Sequence, residues 1–306
     1  MSAYVARRLL QMIPVVLVVT LIVFTLVRLS GDPVTLLLPE DATAEQVALL
    51  REALGLDRPL GEQYLRFLGD LLRGDLGTSL RYGNQPVLPI VLERLPATLQ
   101  LTLAALAIAV AISLPAGVLS ARYRNRWPDV GATGFSVLGE AMPNFWLGIM
   151  LILVFSVQLE WFPVSGRGGA EHLVLPAFTL GTALAALLTR IVRSSLLEVL
   201  SQDYVRTATA KGLRGRSVLL KHALRNALLA YVTVLGLQVA SLLAGAVVTE
   251  QVFAWPGIGL LAIQAITSRD MAVVQAVVIV STVVVMLANL LVDVVYAAID
   301  PRISYA

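Results

Sequence analysis

Six apolar stretches constrain this chain more than any other feature. They run over residues 9–29, 97–121, 134–159, 173–189, 227–249 and 271–292. A helix needs about 20 apolar residues to cross about 30 Å of hydrocarbon. The fourth stretch is the shortest, and its helical pattern continues past Arg190. Spans of this length satisfy their backbone groups internally only as helices, because hydrocarbon offers no water to bond them. Pro14, Pro115, Gly117, Pro143, Gly148, Gly181, Gly236 and Gly245 fall inside these runs. Membrane helices tolerate such residues better than soluble ones. A soluble domain carries about a quarter charged residues, whereas this chain carries 14% charged and 58% hydrophobic ones. Most of its length therefore belongs in lipid. The expected fold is all-α: a polytopic membrane protein with six transmembrane helices and a small external helical insertion. With no cysteine, disulfides, thiolate metal sites and thiol catalysis are excluded.

The first apolar run follows "SAYVARRLL" and leads into "RLSGDP" without an A-x-A site. It is too long for a signal-peptide core and reads as a retained helix. Lys and Arg in short loops set orientation. One set of segments holds Arg7 and Arg8, then Arg122, Arg124 and Arg126, then eight cations from Arg190 to Arg225, then Arg302. The opposite short loops hold Arg167 and Arg269. Both termini are expected on the cytoplasmic side, with the long loop outside. The net charge of +3 then reflects cytoplasmic loops and not nucleic-acid binding.

The expected organisation is a tail and first span over residues 1–30, an external insertion over 31–96, and a five-helix core over 97–306. Within the insertion, "ATAEQVALLREALG" has helical periodicity with Thr43 as an N-cap. "LGEQYLRFLGDLLRGDLG" reads as a second amphipathic helix ending at Gly74. The insertion is either a docking surface or a cap shielding helix ends.

No nucleotide-binding G-x-x-x-x-G-K-[ST] and no H-E-x-x-H occurs. The two histidines, His172 and His222, fall in different loops on opposite sides, so a histidine-built metal site is not expected. The segment "DYVRTATAKGLRGRSVLLKHALRN", residues 203–226, lies in the cytoplasmic loop 196–226. Small residues (Thr207, Ala208, Thr209, Ala210) precede Gly212 and Gly215. The pattern reads as a short helix, a turn at the glycines and a second helix returning to the membrane. Small residues let another protein's backbone approach closely; the bland alternative is a basic loop at the lipid headgroups.

The wording "DYVRTATAKGL…KHALRNAL" resembles the coupling loop of permease subunits of ATP-binding cassette importers, in the branch that imports peptides and nickel. The general motif there is Glu-Ala-Ala with a later Gly; Arg206, Thr207, Ala208 and Gly212 stand at those places, two of the first three departing from it. "YVARRLLQMIPV", "GDLGTSL", "LPATLQL", "RNRWPD", "MPNFWLG", "TEQVFAWPGIG" and "NLLVDVVYAAIDPRI" are similar to that branch in the expected order. The resemblance implies a non-catalytic bacterial inner-membrane subunit. Its implied partners are a homologous second permease, two cytoplasmic ATPase subunits or domains that bind ATP and Mg, an external substrate-binding protein, and membrane lipid. It implies no cofactor in this chain. Carried over by position, ATPase contact falls to Tyr204, Arg206, Thr207, Ala208, Lys211, Gly212, Leu213 and His222. Trp255, Pro256 and Gly257 match an outer turn before the last span.

Charges within spans are costly and raise functional hypotheses. Glu140 either lines the path or pairs with a cytoplasmic Arg; Asp293 is read as having a structural partner in the adjacent basic loops in preference to a substrate contact. Glu140, Asn144, Gln238, Ser241 and Asn289 are the candidate path residues. A bare transition-metal ion prefers imidazole or thiolate, which these spans lack. That removes only the naked ion, since a metal can still pass as a chelate. Within the resemblance, short peptides delivered by a binding protein suit a path of weak polar contacts better than a nickel chelate does, and a secondary transporter is a weaker alternative.

Overall fold

In a computed structural model of the chain, residues 2–29, 43–53, 55–79 and 81–299 are described. Residues 31–42 of the insertion and Arg302 of the orientation set lie outside them. Contacts divide the chain into two compact units.

The first unit comprises Met1–Arg94 and Leu261–Met286. Helix α1 (Ser2–Leu29) carries the first apolar run. Helix α2 (Ala44–Ala53) follows. Its start is a capping box: the Thr43 amide donates to Gln46 Oε1 at 2.9 Å, and the Gln46 amide donates to Thr43 Oγ1 at 3.3 Å. Helix α3 (Leu60–Leu72) packs aromatic side chains on α1. Phe24 meets Tyr64 edge-on with centroids 5.5 Å apart, and the Tyr64 hydroxyl donates to the Leu17 carbonyl at 2.9 Å. The helix ends as expected at Gly74, whose φ of +78° places it in the left-handed region that favours glycine. A two-residue hairpin follows, β1 (Thr78–Ser79) against β2 (Gln85–Pro86). Asp270 ties this hairpin down. Its Oδ2 accepts from the Ser79 hydroxyl and, at 3.3 Å, from the Arg81 amide. Its Oδ1 accepts from the Val273 amide at 3.3 Å and so caps the last long helix.

The second unit comprises Leu95–Leu260 and Leu287–Ala306. Its elements are α4 (Val87–Arg122), α5 (Trp127–Ala141), α6 (Asn144–Leu151), α7 (Ala170–Leu200), α8 (Asp203–Ala210), α9 (Gly215–Val252), α10 (Ile258–Thr267) and α11 (Met271–Ile299). Parts of α4, α10 and α11 belong to the first unit. Helix α6 runs on into π-helical turns over Ile152–Gln158, and α9 contains π-helical turns over Val218–Ala223.

The core of the second unit is built on α7. Two thirds of its apolar window is buried (67%), against 22% for α9. Ala97, Leu101, Ala105 and Ala109 recur every four residues on α4 and face Ala177, Leu180, Leu184, Leu188 and Val192 of α7. Small residues bring these backbones close, as lipid-embedded helices require. At Gly181 a Cβ would stand 2.6 Å from the Ala105 carbonyl oxygen, so no side chain fits there. Large apolar residues on the outer faces (Leu99, Leu103, Leu229, Leu237) stay exposed, the pattern of a lipid-facing surface.

Two expectations change. The second run becomes helical at Val87, ten residues before position 97. Proline is tolerated in a first helical turn, so Pro89 does not delay the start, and Pro96 is carried inside. The third run is not one straight helix: α5 and α6 meet at an angle of 106°. Pro143 supplies no amide hydrogen and forces Met142 out of the helical region (φ −80°, ψ 127°). The described residues thus hold five helices long and apolar enough to cross a membrane, plus this bent pair.

Candidate coupling loop and transport path

The coupling-loop candidates are set by local chain chemistry. Helix α8 spans eight residues and ends in a Schellman motif. Gly212, at φ +77°, donates its amide to the Thr209 carbonyl at 3.0 Å, and the Leu213 amide donates to the Ala208 carbonyl at 3.4 Å. Nothing lies within 4 Å of a Cβ placed on Gly212. Glycine is required there by backbone conformation, not by crowding inside this chain. Val205 is the buried residue of α8. Tyr204, Arg206, Thr207, Lys211 and Leu213 are exposed, and Ala208 is half-buried. Arg206 meets Asp203 at 3.6 Å on the open face.

Tyr204 ties α8 to α9. The Asn226 side-chain amide donates to the Tyr204 hydroxyl at 2.7 Å and to the His222 carbonyl at 3.3 Å; the Tyr204 hydroxyl donates to that carbonyl at 3.4 Å. His222 enters through its backbone. Beneath lies a second apolar cluster of Ala121, Leu196, Val199, Leu219, Ala223 and Ala227. The loop thus presents a short, small-residue helix to solvent, anchored on one side to α9.

Four of the five candidate path residues line one groove. Glu140, Asn144, Gln238 and Ser241 share a cavity of about 380 Å³ with Leu180, Ala183, Leu184, Leu187, Leu242 and Gly245. Asn289 is half-buried on α11 and does not line it. Glu140 lines this groove, and its carboxylate meets Arg190 at 3.2 Å. Arg190 is not a loop residue, because α7 continues ten residues beyond it to Leu200.

Two clusters escape the sequence reading. The first is Glu250, fully buried near the C-terminal end of α9. Its Oε1 accepts from the Thr98 hydroxyl at 2.6 Å and its Oε2 from the Leu260 amide at 2.9 Å. Thr98 Oγ1 also accepts from the Ile258 amide at 2.8 Å. The carboxylate and hydroxyl therefore cap the start of α10, where free amides favour an anion. A Cβ on Gly257 would fall on the Glu250 carboxylate. Trp255, fully buried, donates its indole N–H to the Ala97 carbonyl at 2.8 Å. The "TEQVFAWPGIG" stretch is thus a packed return turn, and the signal available was an acid seven residues before a glycine in an apolar context.

The second cluster is Asp129. Arg193 holds it through two bonds, Nε to Oδ1 at 2.6 Å and Nη2 to Oδ2 at 3.0 Å. The Ser120 hydroxyl donates to Oδ1 at 2.6 Å and the Asn125 amide to Oδ2 at 2.8 Å. This pins the α4–α5 loop onto α7. Among the described residues, no group of three or more His, Cys, Asp or Glu side chains is placed to hold a metal ion.

The chain matches known transport proteins along its whole length. The family model "Binding-protein-dependent transport system inner membrane component" matches residues 113–305, and the companion model for the N-terminal part of such membrane components matches residues 1–102. The oligopeptide transport system permease protein AppB of Bacillus subtilis (strain 168) is 44% identical over 320 residues, covering all of both chains. The glutathione transport system permease protein GsiC of Escherichia coli (strain K12) is 43% identical over 306 residues, again covering both completely. Among solved structures, an inward-facing MetNI methionine ABC transporter chain superposes with a TM-score of 0.57 at 20% identity, covering 69% of this chain and 96% of that one. An amino acid ABC transporter chain superposes with a TM-score of 0.54 at 16% identity, covering 70% and 94%. At such identities the structural likeness speaks for the fold alone. The chain belongs to the binding-protein-dependent transport family, as one of its multi-pass inner-membrane permease components.

Proposed function

We propose that this chain forms half of the path of an ATP-driven importer for short peptides. The observation that carries the reading is full-length identity of 44% and 43% to permeases named for oligopeptide and glutathione transport. A homologous second permease completes the path. Two cytoplasmic ATPase subunits or domains bind ATP and Mg and carry out hydrolysis. An external binding protein delivers substrate to the outer face. Both termini lie in the cytoplasm, and the bent α5–α6 pair serves as the third of six spans.

Coupling follows from how α8 is held. Its solvent face, Arg206, Thr207, Ala208, Lys211 and Leu213, enters a groove of the ATPase. A push on α8 reaches α9 through the Tyr204–Asn226 bond. Helix α9 carries Gln238 and Ser241 into the groove, and Gln238 lies about 18 Å along the helix from Asn226 at 1.5 Å per residue. ATP-driven movement of α8 thereby reshapes the path wall.

Competition uptake tests the substrate in cells carrying the whole complex, with labelled di- and tripeptides set against a nickel chelate. Peptides compete and the chelate does not. Uptake that ignores every peptide but follows the chelate rejects the peptide reading and leaves the family unchanged.

A further inference from the structure

An acid that lines the groove, Glu140, meets a base just beyond its lining, Arg190, where a membrane helix is broken. Irregular backbone at membrane depth is tolerated only where it is buried in protein or lines a water-filled cavity. Helix α5 ends at Ala141, one residue after Glu140, and α6 begins at Asn144, after a 106° bend. Glu140 and Asn144 both line the groove. The break therefore opens onto the cavity and is not sealed inside the core.

A broken helix presents two opposite dipole ends. The last carbonyls of α5, with Glu140 beside them, form a negative end; the first amides of α6, at Asn144, form a positive one. Arg190 adds a fixed cation. On α7, Leu180, Ala183, Leu184 and Leu187 line the groove at helical spacing, and Arg190 is the next position on that stripe. Its side chain is 58% exposed and meets Glu140 at 3.2 Å. A guanidinium has five N–H donors, so one carboxylate leaves donors open. Arg190 stands about 15 Å from the end of α7 at Leu200, at 1.5 Å per residue. It follows directly on the apolar run over residues 173–189, where a long cationic side chain reaches Glu140 and water alike.

We propose that the α5–α6 break, with Glu140, Asn144 and Arg190, is a binding site for the charged ends of a zwitterionic short peptide. The site rests on the peptide reading above. Glu140 and the α5 carbonyls take the ammonium; Arg190 and the α6 amides take the carboxylate. Entry of a zwitterion exchanges one ion pair for two and buries no net charge, which spares the large penalty of an unpaired ion. The cavity, about 380 Å³, lies at the small end of the roughly 300–1,000 Å³ range of small-molecule sites. That suits a di- or tripeptide. Gln238 and Ser241 supply neutral donors and acceptors for the peptide backbone between the ends.

The test uses the purified whole complex and a reporter on this cysteine-free chain. Ala183→Cys places a thiol in the groove wall, and its maleimide labelling is followed on this subunit. Millimolar tri-alanine slows labelling; the same peptide acetylated at its amino end and amidated at its carboxyl end does not. Adding Glu140→Gln removes the difference between free and N-acetylated tri-alanine. Adding Arg190→Gln removes the difference between free and C-amidated tri-alanine. Each loss is about tenfold or more in the protecting concentration, the scale of a charge-assisted hydrogen bond. Equal protection by free and doubly blocked peptide, or protection by neither, overturns the site. So does an equal loss for every peptide in both variants, which marks a purely structural ion pair. Peptide uptake by the unmodified complex, measured separately, decides the peptide reading: uptake that persists while protection ignores the end groups rejects this site alone.

Discussion

The Thr98 hydroxyl donates to the Glu250 carboxylate at 2.6 Å across 152 residues of sequence. The same carboxylate accepts from the Leu260 amide. One buried side chain thus fastens the C-terminal end of α9 to α4 and to the start of α10.

Glu250→Ala strands the Thr98 hydroxyl and the α10 amides without an acceptor. An abandoned buried partner costs about 1–3 kcal/mol, so the variant melts earlier in thermal unfolding of the purified complex. Glu250→Gln keeps one acceptor oxygen and loses less. Equal melting of Ala variant and wild type contradicts the fastening role.

Removing Arg193 leaves the enclosed Asp129 without its counter-charge, held by the Ser120 hydroxyl and the Asn125 amide alone. Breaking such a pair costs about 3–5 kcal/mol, whereas replacing both members is close to neutral. Arg193→Met lowers stability more than the double variant Asp129→Leu, Arg193→Met. The order of the two melting curves checks this, and the reverse order refutes it.

Gly212 separates backbone conformation from crowding. Its left-handed φ admits Asn at little cost but penalises a β-branched residue by about 1–3 kcal/mol. Gly212→Asn retains stimulation of ATP hydrolysis by loaded binding protein, and Gly212→Val loses most of it. A loss as deep in the Asn variant places the fault in direct contact instead.

Topology is open to labelling, since the chain lacks cysteine. A Cβ on Gly61 or on Gly215 meets nothing within 4 Å, so Cys fits at both. With intact cells and an impermeant maleimide, Gly61→Cys reacts and Gly215→Cys reacts only after lysis. Labelling of both from outside removes the six-span arrangement.

What the sequence made legible is what short-range chemistry decides. Thr43 and Gln46 stand three apart and form their capping box; Gly74 and Gly212 stop α3 and α8 where a glycine after small or apolar residues announces it. The clustering of Glu140, Asn144, Gln238 and Ser241 needed the packing of α5, α6, α7 and α9, yet these were legible as rare polar residues in apolar runs. Asn289 carried the same signal and falls elsewhere, because polarity marks a residue without saying which way its helix is turned. The break at Pro143 was only half legible: proline implies a disturbance, but a kink and a 106° turn look alike in sequence. Glu250 and Asp129 were missed because their partners, Thr98 and Arg193, are fixed by tertiary folding alone.

The most direct measurement is peptide accumulation by the whole complex in proteoliposomes, with loaded binding protein at the outer face and ATP on the ATPase side. Wild type accumulates a labelled tripeptide only with ATP present. Ala208→Glu, which forces a charged side chain into the α8 contact, assembles normally but accumulates none and loses stimulated hydrolysis. Accumulation without ATP, or wild-type accumulation by Ala208→Glu, contradicts an importer permease coupled through α8.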